Sequence, residues 1–186
     1  MITKAYVGTM AAYNSEMNRR FFAAAGSLDA AERHADRGAF WGSIHGTFCH
    51  LLWADRMWMH RFDGWERPAG LLAESGRLIA EFDALSAARI DTDRRLERWA
   101  AALDDSWLEG RLDWFSGAAK RQMQADRTMV VMHMFNHQAH HRGQIHALLT
   151  RAGVDTGATD LLAVLKSSAV VRPGATGSPS EVSKAP

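Results

Sequence analysis

A chain of 186 residues, 47% of them hydrophobic, is long enough to close one core without staples. Its 22 basic residues stand against 21 acidic ones, a balance too even to gather a polyanion, so nucleic acid is not expected as a partner. The single cysteine, Cys49, excludes an internal disulfide, and no apolar run reaches the length of a membrane span, which together predict a cytoplasmic chain with no membrane anchor.

The first segment, near residues 3–26, carries Tyr6, Met10, Tyr13, Met17 and Phe21 at steps of three and four, the apolar stripe of a helix. A second helix is expected near 39–63, where "FWGSIHGTFCHLLWADRMWMHRF" is apolar on almost every side and so needs neighbours on two faces. Trp41, Trp53 and Trp58, with Met57 and Met59, read there as core or dimer-contact residues. The third, near 75–103, sets Leu78, Phe82, Leu85, Leu96 and Trp99 among charges and keeps one side in water. The period changes in 106–124, where Gly110 and Gly117 flank the alternating "RLDWF", the pattern of a short hairpin. A fourth helix, near 126–152, runs from Asp126 as N-cap to Gly153 as a left-handed C-cap. Beyond Leu165 the chain becomes rich in Gly, Pro and Ser, so residues 1–165 form the expected domain and 166–186 a flexible tail. Four apolar stripes without βαβ alternation predict an all-α four-helix bundle, with a small hairpin before its last long helix.

The fourth helix holds "HMFNHQAHHRGQIH", five of the nine histidines in fourteen residues. At about 100° per residue, Val130, Met134, Ile145 and Leu148 define its apolar sector. His137 and His141 fall within or at the border of that sector, one turn apart, while His146 points away and His133 and His140 sit at the edge. Two imidazoles stacked at i and i+4 on a core face need partners for their ring nitrogens, and one divalent ion supplies a partner to both. A third ligand must come from another helix, where His45 and His50 are both available and about 140° apart. Periodicity does not choose between them. His60, near a helix end, suits the C-terminal dipole better than a metal, and Cys49 reads as a small buried hydrophobe.

"SIHGTFCHLLWADRMWMHRF", followed some eighty residues later by "HMFNHQAHHRGQIHALL", resembles the DinB family, the bacterial damage-inducible DinB/YfiT-like metal-binding bundles. "AAYNSEMNRRFF", "LEGRLDW" and "DTGATDLLAVL" extend the resemblance over about 165 residues. It implies a bundle of non-standard connection order, a homodimer, and a metal held by His50 of "CHLL" with His137 and His141 of "NHQAHHRGQ". The asparagine that commonly precedes the first of these histidines is Cys49 here, a change at a position able to steer the ring. His140, His146 and His60 are then not ligands, and His133 and His45 at most orient one. Arg142 and Gln144 are expected at a helix contact rather than as catalysts, with Gly143 allowing close approach, and Asp55 and Arg56 in an ordinary salt bridge rather than placing substrate.

Three neutral imidazoles suit a divalent ion, zinc or nickel first, with iron or another transition metal admissible. The resemblance also implies a low-molecular-weight thiol and a small electrophile as substrates of a metal-dependent S-transferase. The alternatives are a non-catalytic, stress-associated metal-binding dimer and a metal-dependent hydrolase. The hydrolase is weakened because the fourth helix lacks the glutamate of an H-E-x-x-H motif.

Overall fold

Thr3 opens the first helix by accepting the Tyr6 N–H on its hydroxyl, and α1 then runs Lys4–Ala25 in this computed structural model, which describes residues 2–165. A one-turn helix, α2 (Ala30–His34), starts in a reciprocal capping box between Asp29 and Glu32. The second long helix, α3, spans Ile44–Asp63. It begins later than its apolar pattern predicts because Gly42 takes a left-handed φ of 73° and Ser43 caps the Gly46 N–H, so residues 39–43 fold as a turn.

The expected third helix is likewise split. A 3-10 turn covers Leu72–Arg77 and α4 starts only at Phe82, running to Ala102. In the gap, the Ile79 carbonyl accepts from His45 Nε2 at 2.8 Å and from Cys49 Sγ at 3.3 Å, bonds to α3 that replace the helical one. After the short α5 (Asp105–Leu108), β1 (Arg111–Ser116) pairs antiparallel with β2 (Arg121–Asp126), the hairpin read from the alternation. The last long helix, α6, spans Arg127–Arg151. Asp126 stands at its N-cap position without a capping bond, while at the other end Gly153, at φ 79°, closes a Schellman motif with Val154 N donating to Leu149 O at 3.0 Å. The "TDLLAVL" segment folds into α7 (Leu161–Val164), and the expected tail, 166–186, lies outside the described residues.

Two apolar clusters fix the helix directions. One gathers Phe21, Phe48, Leu52, Leu85 and Leu148; the other gathers Val7, Met59, Leu96, Trp99 and Val130. Along α1 and α6 the chain meets the second cluster first, along α3 and α4 the first cluster first, so the four long helices run up, down, down, up. Each of α1 and α3 packs against both α4 and α6. The parallel α3–α4 pair requires a long return, supplied by residues 64–81, whose 3-10 turn lies against α3. That return and the α3–α6 contact are the two features that build the site.

Candidate metal centre

His50 projects from α3, and His137 and His141 from successive turns of α6, toward one point. His137 Nε2 is 3.3 Å from His50 Nε2 and 3.1 Å from His141 Nε2. The outer nitrogens identify the tautomers. Ser75 Oγ donates its own proton to the Leu72 carbonyl at 2.7 Å, so at 2.8 Å it accepts from His50 Nδ1–H. Gln144 Oε1, also at 2.8 Å, accepts from His141 Nδ1–H. His50 and His141 therefore both turn an Nε2 lone pair inward. A proton on His137 Nε2 can satisfy only one of them, leaving a lone-pair contact that a cation would relieve.

The spacing fits such a cation. Bonds of about 2.0–2.1 Å at tetrahedral angles place imidazole nitrogens about 3.3 Å apart, near both distances here. Burial, with the neighbouring histidines adding to it, pushes His50 and His137 down to about 3. Burial also lowers His141, against the raising effect of Gln144. All three rings are thus neutral near pH 7, the state a metal ligand needs. Among the described residues, no fourth His, Cys, Asp or Glu joins this cluster.

Trp41, expected in the core or at a dimer contact, instead stacks on the His50 ring with centroids 4.0 Å apart and 18° between planes. Glycines make that approach possible: a Cβ at Gly46 would collide with the Trp41 carbonyl, and one at Gly76 would lie 3.2 Å from the indole. Gln144 serves as the acceptor that orients His141 rather than as a helix contact, and its amide donates to His140 Nε2 at 3.1 Å. Ser75 had no sequence signal, since its role depends on the 3-10 turn folding back over α3.

The remaining histidines are engaged elsewhere. His45 donates to Ile79 as described, and the exposed His133 packs edge-on to Trp58; neither reaches a nitrogen of the three rings. His60 Nδ1 donates to Trp65 O at 2.7 Å, and His146 Nδ1 lies 2.6 Å from Thr156 Oγ1. Cys49 is buried, its thiol donating to the Ile79 carbonyl and pushed up by desolvation. Asp55 pairs with Arg89 at 2.6 Å rather than with its neighbour Arg56, which instead donates to Thr92 at 3.0 Å.

An up-down-down-up bundle with three inward imidazoles on two facing helices defines a class, the helical bundles with a three-histidine site suited to a divalent metal. The chain belongs to the DinB family, whose profile matches residues 1–175. No curated protein matches it. Among the described residues, no helix is long and apolar enough to cross a membrane.

Proposed function

We propose that the protein is a metal-dependent S-transferase in which His50, His137 and His141 hold one divalent ion, zinc or nickel, and a low-molecular-weight thiol is joined to a small electrophile. The observation that carries this reading is the convergence of three neutral imidazoles with no fourth protein ligand among the described residues. A structural site would be closed by the protein, whereas three ligands leave positions for an exchangeable one. The bound ion would supply a Lewis acid that keeps a thiol sulfur deprotonated near pH 7. The chain's own groups do the rest: Ser75 and Gln144 fix two rings by their Nδ1 protons, and Trp41 shields one face of His50 from water. In the transfer, the sulfur–carbon bond forms as the leaving group departs with its bonding pair, and the thiol proton passes to solvent.

The test is metal analysis of protein purified without an affinity tag, followed by conjugation of L-cysteine or glutathione to a chlorinated nitroarene. Stoichiometric metal, with turnover lost on chelation and regained on reloading, supports the reading. Equal rates with and without metal would sink it in favour of a non-catalytic metal-binding protein. A metal-dependent hydrolase and a homodimer are read out from ester hydrolysis and sedimentation of the same sample.

A further inference from the structure

Between the two apolar clusters runs a layer of buried polar side chains to which all four long helices contribute: Asn14 and Asn18 from α1, Asp55 from α3, Arg89 and Asp93 from α4, Gln138 and Arg142 from α6. Arg89 bridges Asp55 at 2.6 Å and Asp93 at 2.7 Å. Asn14 and Asn18 donate to Asp93 at 3.2 and 3.1 Å. Gln138 Nε2 donates to Asp55 Oδ1 at 3.0 Å, and Arg142 donates to Asn14 Oδ1. The layer thus holds two guanidinium groups, Arg89 on both carboxylates and Arg142 on Asn14, and its formal charges cancel.

Stability alone does not account for this layer. Desolvating four charges costs several kcal/mol per ion, and well-packed apolar residues of like shape often do as well or better. What an apolar layer lacks is direction, because it tolerates rotation and sliding that a hydrogen bond does not. Gln138 and Arg142 each follow a metal-centre histidine by one residue, so the same two turns of α6 present one pair to the site and the other to the layer. Asp55, which Gln138 grips, lies five residues beyond His50 on α3.

We propose that Gln138 and Arg142 are positioning residues that index the rotation of α6, so that His137 and His141 meet His50; this rests on the metal-centre reading. An imidazole Nε2 lies about 6 Å from its helix axis, so ten degrees of rotation moves it by about 1 Å. A functional constellation tolerates about 0.5 Å. The Gln138–Asp55 bond joins the two helices that carry all three rings, and the Arg142–Asn14 bond ties α6 to its other neighbour.

The experiment is a Co(II) titration of the full chain, read by visible ligand-field absorption, on wild type, Gln138→Met and Leu96→Ala. Gln138→Met keeps the length and removes the donor; it is expected to bind Co(II) about 10–100-fold more weakly and to change the absorption envelope. Leu96→Ala opens a cavity in the second apolar cluster, which holds none of the three histidines, and is expected to lower the melting temperature with Co(II) affinity within about twofold of wild type. If Gln138→Met does not fold, Gln138→Asn, one methylene too short to reach Asp55, takes its place with the same expectation. Affinity within twofold of wild type in the Gln138 variant overturns the inference alone. So does an affinity that falls in proportion to melting temperature in both variants. A wild type that takes up no Co(II) overturns the metal centre and the inference with it.

Discussion

Ser75→Ala isolates what the hold on a single imidazole contributes. Ser75 is only 1% exposed, and its hydroxyl both donates to the Leu72 carbonyl at 2.7 Å and accepts from His50 Nδ1 at 2.8 Å. Without it, His50 Nδ1–H faces a space that water does not freely enter, and an orphaned buried donor costs about 1–3 kcal/mol. Part of that cost falls equally on the metal-free and metal-bound forms and cancels. The remainder appears as weaker binding, because the metal-free ring can turn to find another partner while the bound ring cannot. The expected result is a Zn(II) affinity lower by about 10–100-fold, or about 1.4–2.7 kcal/mol. Gln144→Ala gives the internal comparison. Gln144 is half-buried, so water can take over its bond to His141 and the loss should stay below about tenfold. Competition with a chromophoric chelator measures both. Equal losses in the two variants, or Ser75→Ala binding within twofold of wild type, would refute the reasoning.

The metal-free protein should lose stability as pH falls. His50 and His137 are held down at about 3, so between about 6.5 and that value the unfolded chain binds more protons than the folded one, and the stability present above about 6.5 drains away on acidification. Melting curves at pH 7 and 4.5 check this: a His50→Phe/His137→Phe double variant should decline less steeply, and an identical slope would contradict the assignment. Arg89→Met leaves Asp55 and Asp93 without their shared cation, and urea unfolding should show a loss of about 3–5 kcal/mol; a loss under about 1 kcal/mol would mean the carboxylates are compensated elsewhere. His146→Ala removes a bond to Thr156 and a stack on Phe21, so stability should drop by about 1 kcal/mol with metal content unchanged. Metal loss in that variant would put His146 in the site.

Periodicity located the four long helices because each buries a stripe that recurs every third or fourth residue, and the hairpin because its period shifts to two. It overran two boundaries for an identifiable reason. Phe40, Trp41, Leu78 and Ile79 are apolar and extend the stripes of α3 and α4, yet Phe40 is 80% exposed and Ile79 gives its carbonyl to α3 side chains. Hydrophobicity marks what can be buried on a helix, whereas the local breaks at Gly42, Ser43 and Glu81 decide where the helix begins. The His137–His141 pair was legible for the same reason as the helices, its partners being one turn apart. The choice between His45 and His50 was not, since α3 is apolar all round. Resemblance to the family pointed to His50, and the structure brings that ring, not His45, against the pair.

The polar layer shows where single-sequence periodicity stops. "HQAHHR" holds two i, i+4 pairs one residue apart, His137 with His141 and Gln138 with Arg142, and both face inward on the same helix. Sorting residues by polarity discards Gln138 and Arg142, although on the helical wheel both fall between Ile145 and Phe135 and both are buried. Their partners lie 83 and 128 residues away, as Arg89 lies 34 residues from Asp55. A buried charge needs its partner within hydrogen-bond reach, not nearby in sequence, so the up-down-down-up order of the helices must be in place before Asp55 can be assigned to Arg89 rather than to Arg56. The same ordering brings the 64–81 return over α3 and sets Ser75 against His50. The His137–His141 pair on α6 can therefore be read locally, while the neighbours it meets from other helices become visible only once the topology is known.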